Sequence, residues 1–259
     1  MVFEQDNNFE FDGKGLCNEI TMHVLEEKER NPYKLGVLIC EGDKNSIDFA
    51  VYSLVFPDLI VIPVGGCSTV MRMLKQLRAK LSPFGVYAFG IIDRDALSKK
   101  EIKKLYQSRG VNTTKLPFIE NIICSPEVLK FVCKYKQLEY EPFLKTVEEE
   151  LVKILWQRLK ETLPINIAVE KSEKIEYLFF GAFTKKQEIV KEVSAKNILY
   201  SYRDKIITAI VGSHLGIRGK RAYYMMISEM IENEEYKDDL AKIFAMFIPK
   251  FELYNLEEY

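Results

Sequence analysis

Short apolar runs alternate with amphipathic stretches over the first half of this chain. The apolar runs, which have the length and composition of buried strands, lie at 35–40, 59–64 and 86–92. The stretches with helical periodicity lie at 46–55, 68–80 and 98–107. Strands that alternate with helices predict an α/β fold with a mainly parallel sheet flanked by helices and connected by right-handed crossovers.

The pattern on either side of this alternation is mainly helical. A charged helix is predicted over 18–30, an extended piece over 115–119, and a helix from Pro126 to Lys134. Residues 139–259 are mostly amphipathic and helical. We therefore divide the chain into an N-terminal arm and helix (1–33), an α/β domain (34–135) and a helical C-terminal region (136–259). Pro63 near the end of the second strand predicts an edge strand or the end of the strand. Ser46 is predicted to cap the helix over 46–55.

Composition narrows the class of protein. The chain has 259 residues, 47% of them hydrophobic, and a net charge of −1, so any contact with nucleic acid must come from a local basic patch. Five scattered cysteines without a C-x-x-C pair argue against a zinc ribbon and favour a reducing compartment. No apolar stretch approaches the ~20 residues of a membrane span. The first residues lack the basic and apolar regions of a secretory signal, so we expect a cytoplasmic protein without membrane contact.

Acidic residues directly follow two of the predicted strands. Glu41 follows the first strand, and Asp93-Arg94-Asp95 follows the third. Carboxylates at the carboxyl ends of parallel strands converge on one crevice, and in an extended segment Asp93 and Asp95 point the same way. Oxygen ligands of this kind suit Mg²⁺. The pattern predicts metal-assisted chemistry on phosphates.

The segments around these acidic residues resemble those of a known family. Three segments, Leu38-Ile39-Cys40-Glu41-Gly42, then Gly65-Gly66, then Gly90 to Asp95, resemble the Toprim fold of topoisomerases, primases and old-type nucleases. Phe118–Asn121 and Pro126–Leu129 are similar to the segment that follows the Asp pair in old-like members. The resemblance covers about residues 34–134, and Gly219-Lys220 is weakly similar to a late Gly-Lys of the same subgroup. That subgroup includes stand-alone nucleases paired with ABC-type ATPases in bacterial anti-phage systems such as PARIS.

The resemblance implies roles for individual residues. Glu41 resembles the Toprim glutamate, Asp93 and Asp95 the metal-binding pair, and Glu120 an added acidic ligand, with Mg²⁺ or Mn²⁺ as the cofactor. The family usually has a second acid four positions after the first Glu, where this chain has Asn45. An amide oxygen still binds a hard cation, with less charge, and Asp43 or Asp48 are alternative ligands.

Two segments concentrate basic residues. The stretch 203–224 interleaves cations with tyrosines, a composition suited to phosphate contacts and base stacking. A second basic face, including Lys99, follows the Asp pair. The predicted nucleic-acid-binding residues are Lys99, Arg203, Lys205, Arg218, Lys220 and Arg221. A solvated surface is the alternative for both segments.

We predict a Toprim-family endonuclease that hydrolyses RNA, transfer RNA among the candidates, or DNA. By resemblance it is the toxic effector of an anti-phage system and is controlled by a separate ABC-type ATPase. No Walker A motif occurs, so the ATPase must be another chain. Homodimerisation is compatible with one active site per chain. The alternatives are a catalytically decayed Toprim scaffold subunit of an ATPase complex, and a phosphatase or receiver on a similar sheet.

Overall fold

The computed structural model describes residues 13–34, 36–95, 97–162, 199 and 206–251. The four strands are β1 (Gly36–Cys40), β2 (Leu59–Pro63), β3 (Tyr87–Ile92) and β4 (Val111–Thr113). The helices before β4 are α1 (Gly13–Arg30), which precedes the sheet, α2 (Ile47–Val55), α3 (Cys67–Leu81), a 3₁₀ turn (Ser82–Phe84) and α4 (Lys99–Arg109). The helices after β4 are α5 (Ile119–Ile123), α6 (Pro126–Tyr135), α7 (Tyr140–Thr162), α8 (Ile207–His214), α9 (Lys220–Glu232) and α10 (Lys237–Phe247).

The strands form one parallel sheet in the order β2-β1-β3-β4. The predicted α/β fold with a mainly parallel sheet, flanking helices and a helical C-terminal region is therefore confirmed. β2 is an edge strand, as the proline at its end predicted. Ser46 caps α2, because its side chain accepts a hydrogen bond from the Phe49 N–H at 3.3 Å. None of the helices in the described part of the chain is both long and apolar enough to cross a membrane.

The other edge strand, β4, differs from the prediction. The extended piece was predicted at 115–119, but the strand is Val111–Thr113 and a helix begins at Ile119. β4 pairs with Gly90–Ile92 of β3. Three residues are too few to show an alternating pattern, so the pairing with β3, and not the local sequence, defines this strand.

Alternate residues of the central strands enter two cores. In β1, Val37 and Ile39 pack into the layer formed with α1 and α3, whereas Leu38 and Cys40 pack into the layer on the opposite face. All five β1 residues are buried, which explains its continuously apolar sequence. The second core includes Phe244 of α10. The boundary drawn at residue 135 thus does not separate two cores, since C-terminal helices complete the core on one face of the sheet.

Candidate active site

The two predicted strand-end carboxylates lie side by side. Glu41 follows β1 and Asp93 follows β3, and these strands are neighbours in the sheet. The backbone N–H of Asp93 donates to Oε1 of Glu41 at 3.1 Å. Both residues are half-buried. The parallel pairing thus brings together two acids that are 52 positions apart in the sequence, and the hydrogen bond fixes one carboxylate oxygen of Glu41 beside Asp93.

A glycine pair fixes the loop that follows Glu41. The N–H of Gly42 donates to the Gly65 carbonyl at 2.7 Å, and the N–H of Gly65 donates to the Gly42 carbonyl at 2.9 Å. Both glycines have a φ of 90°, which other residues rarely adopt. A Cβ on Gly42 would lie 2.4 Å from Oγ of Ser46. The loops after β1 and β2 are therefore joined, and the first requires glycine.

Asp95 does not have the predicted extended geometry. Its φ is 45°, in the left-handed region, so the chain turns at Asp95, and this residue is exposed. The Asp95 N–H donates to the Pro117 carbonyl at 2.8 Å, and the Arg94 N–H donates to Oγ1 of Thr114 at 3.0 Å. The backbone at Asp95 is therefore not extended as expected, and its N–H contacts the segment after β4.

The loop between β1 and α2 contains the remaining predicted ligand, Asn45. Its N–H donates to Oδ1 of Asp43 at 2.7 Å, and the residue is exposed on this turn. Asp48, in the first turn of α2, is half-buried instead. A half-buried acid therefore lies three positions beyond the one that the family pattern indicates.

The effect of these acids on Tyr52 shows that they share a neighbourhood. The pKa of Tyr52 lies well above its ordinary value, first because the residue is buried and then because of the negative charges of Asp48 and Asp93. Cys40 and Glu41 add smaller effects in the same direction. Burial, followed by the charges of Asp48 and Glu41, likewise raises the pKa of Cys40. Glu41, Asp48 and Asp93 thus all act electrostatically on one buried group, the hydroxyl of Tyr52.

Glu120 belongs to a second cluster, which includes the helical C-terminal region. It is 2% exposed on α5. Its Oε1 accepts hydrogen bonds from Nζ of Lys220 and from the hydroxyl of Tyr224, each at 2.7 Å. Burial, and then the charge of Glu120, raises the pKa of Tyr224, and Asp48 adds to this effect. Asp48 therefore influences both clusters, through Tyr52 and through Tyr224.

The predicted ligands are carboxylates, which suit a hard cation such as Mg²⁺. The described residues do not form a complete set of metal ligands. Among the described residues, no three His, Cys, Asp or Glu side chains form a group that could hold a metal ion. Glu41 and Asp93 form a pair, whereas Glu120 is bound to Lys220 and Tyr224. Carboxylate oxygens are the donors that Mg²⁺ and Mn²⁺ prefer.

The predicted nucleic-acid-binding residues have different environments. Lys99, the first residue of α4, is exposed, as are Arg218 and Arg221. Lys220 is half-buried against Glu120. Arg203 and Lys205 lie outside the described residues.

Comparisons with protein-family models, with curated proteins and with solved structures find no match to this chain.

Sequence reasoning missed two residues at this site. Thr114 is 1% exposed; its hydroxyl holds the Arg94 N–H and donates to the Leu116 carbonyl at 2.8 Å. Tyr224 binds Glu120 across 104 positions of sequence. A Thr after a three-residue strand and a Tyr on an amphipathic helix are both common, so neither residue had a distinctive local pattern.

Proposed function

We propose that this protein is a metal-dependent endonuclease of the Toprim type that hydrolyses phosphodiester bonds in RNA or DNA. The hydrogen bond from the Asp93 N–H to Glu41 Oε1, between the ends of two neighbouring parallel strands, is the observation that supports this proposal. The matching segments at Glu41-Gly42, Gly65-Gly66 and Asp93-Arg94-Asp95 support the same assignment. By the same resemblance, a separate ABC-type ATPase controls the enzyme as part of a cytoplasmic anti-phage system.

In this proposal Glu41 and Asp93 hold Mg²⁺ or Mn²⁺, with Asp95 and Asp48 as further candidate ligands. The bound metal would lower the pKa of a water molecule and offset the charge that develops on the phosphate. The protein supplies the positioning. The Asp93 N–H orients the Glu41 carboxylate, the Gly42–Gly65 pair fixes the loop, and Thr114 holds the backbone between the two aspartates.

Asp93→Asn provides the direct test, because it removes the charge and keeps the side-chain shape and the backbone donor. Purified protein would be incubated with cellular RNA and with plasmid DNA in Mg²⁺, in Mn²⁺ and in EDTA. Wild type should cut only with metal. Asp93→Asn should lose at least about 100-fold in rate, since even residues outside the ligand shell cost 10–100-fold.

Asp58→Asn is the matched control. Asp58 is an exposed acid directly before β2, at the opposite end of the sheet from Glu41 and Asp93. Its rate should stay within about twofold of wild type. Equal cutting by wild type and Asp93→Asn would refute the proposed site.

Asn45 favours one alternative, a decayed Toprim scaffold subunit. The residue stands where the family usually has an acid, and here it is exposed on the turn. A scaffold would show no cutting under any condition and no change in melting temperature with Mn²⁺. A nuclease should be stabilised by Mn²⁺, and Glu41→Gln should abolish that shift.

A further inference from the structure

Positive charge is concentrated in a cleft beside the β4 edge of the sheet. The cleft has a volume of about 1630 Å³ and is bounded by α3, α4, β4 and the segment 249–251. Arg94, the residue between the two aspartates, lies at its border. Small-molecule pockets are usually ~300–1,000 Å³, so the cleft is large enough for a longer ligand.

The charge of the cleft has one sign. Nine of its described lining residues are Lys or Arg, and none is Asp or Glu. Seven of the cations are exposed on its walls: Arg72, Lys75, Lys99, Lys103, Arg109, Lys115 and Lys250. None of these seven makes an ion pair with a carboxylate in the described part of the chain. In a protein of net charge −1, this distribution would attract a polyanion.

An aromatic side chain lies among these cations. Tyr106 of α4 is 54% exposed and lines the same cleft, on the helix that provides Lys99 and Lys103. Lysines alone suit any phosphate backbone. Lysines with an exposed aromatic ring suit a strand whose bases are unpaired and free to stack. The bases of a duplex are stacked on each other and do not reach such a ring.

We propose that this cleft binds a single-stranded segment of nucleic acid, with its phosphates along α3 and α4 and a base stacked on Tyr106. The inference rests on the proposed function in taking nucleic acid, and not another polyanion, as the ligand. It places the substrate strand on the β4 side of the Asp93 loop. The Lys220 region, which the sequence favoured at least as strongly, lies outside this cleft.

Helix α4 offers a matched pair of charge reversals. Lys99 and Lys103 line the cleft, whereas Lys100 and Lys104 are exposed on the same helix and do not line it. Lys99→Glu/Lys103→Glu and Lys100→Glu/Lys104→Glu therefore change net charge equally, at the same spacing and in the same helix. Binding of fluorescein-labelled rU20 and dT20 would be measured by anisotropy in EDTA, so that no cutting occurs.

The cleft variant should lose at least tenfold in affinity, and the control less than twofold. The slope of log K against log salt should become shallower by about 0.7 for each phosphate contact removed. Tyr106→Ala should lose about tenfold with an unchanged salt slope. Lys99→Gln/Lys103→Gln, with melting temperatures for every variant, separates a binding loss from a folding defect.

Three results would overturn the inference: equal losses for both α4 pairs, tighter binding of a 20-base-pair duplex than of the single strands, or equal competition by polyglutamate. The last would indicate an acidic protein partner. The same experiments distinguish failure of the nuclease proposal from failure of the cleft proposal. If wild type cuts nothing but the cleft pair still governs binding, the nuclease proposal fails and the cleft stands. If the cleft variant binds and cuts like wild type, the cleft proposal fails and the nuclease stands.

Discussion

Lys220 on α9 and Lys103 on α4 belong to two basic segments of similar composition, yet the fold uses them differently. Lys220 is half-buried, and its Nζ lies 2.7 Å from a carboxylate oxygen of Glu120, which is almost fully buried. Lys103 is exposed in a cleft whose described lining has no carboxylate. The comparison shows that a run of cations acquires its role from the charges that the fold places opposite it. A buried carboxylate makes the first lysine structural, whereas its absence leaves the second available to a ligand.

The Lys220 contact also joins two parts of the chain. Tyr223 and Tyr224 follow it on α9, and their hydroxyls donate to the Ile123 carbonyl at 2.9 Å and to Glu120 at 2.7 Å. Three neighbouring residues thus dock the helical region on α5, which follows the sheet. The same contact keeps the charge of Glu120 compensated near the proposed active site.

The largest expected effect is a loss of stability on replacing Lys220, which replacing Lys103 should not cause. Lys220→Met should lower the free energy of unfolding by about 3 kcal/mol, the lower end of the range for breaking a buried ion pair, because Lys220 itself is partly exposed and only Glu120 is fully buried. Lys103→Met should change it by less than about 0.5 kcal/mol, as for other exposed positions. Urea unfolding followed by circular dichroism measures both.

Glu120→Gln/Lys220→Met completes the comparison. With the buried charge removed together with its partner, part of the lost stability should return. Equal, small effects of Lys220→Met and Lys103→Met would mean that the two basic segments do not differ in role.

The sequence predicted those parts of the molecule that depend on local pattern. β1 and β3 are continuously apolar, and the rule that parallel strands end at one edge was enough to bring Glu41 to Asp93. β4 is too short for periodicity. The turn at Asp95 depends on a hydrogen bond to the Pro117 carbonyl. The Glu120–Lys220 pair spans 100 positions. Such contacts arise only after the chain has folded, so a single sequence does not reveal them.

One of the cations that line the cleft, Arg78, has a structural role like that of Lys220. Arg78 of α3 donates from its Nε to the Ala88 carbonyl at 3.0 Å and from its two other nitrogens to the carbonyls of Arg109 and Gly110 at 3.2 and 3.1 Å. It thereby ties α3 to the end of α4. Gly110 has a φ of 63°, and a Cβ there would lie 2.1 Å from Nη1 of Arg78.

Gly110→Ala should therefore lower the free energy of unfolding by about 2 kcal/mol, from backbone strain together with the displaced guanidinium. Gly85→Ala is the matched control, because Gly85 has a φ of 64° with nothing within 4 Å of its Cβ position. It should cost only the strain, about 1 kcal/mol. Chemical denaturation of both variants gives the difference, and equal losses would show that the Arg78 contact contributes nothing.

The reactivity of the cysteines reports whether the Lys220 contact opens on its own. Cys67 is exposed and the other four are buried. Burial raises the pKa of Cys133 to about 11 and raises the pKa of Cys124 as well, so at pH 8 both remain protonated and slow to react. With Ellman's reagent, native protein should show one fast thiol, and denatured protein five.

Lys220→Met should selectively accelerate Cys124, because this thiol is beside Tyr223 in the contact between α5 and α9. If the opening free energy falls by ~3 kcal/mol, the rate should rise by about 100-fold. Lys103→Met should leave the rate unchanged. Mass spectrometry of the labelled peptides identifies the thiol. Cys17 lies in the core on the other face of the sheet. If its reaction accelerates as much as that of Cys124, the whole molecule unfolds in each opening event. The Lys220 contact would then be part of the global fold and not a separate docking element.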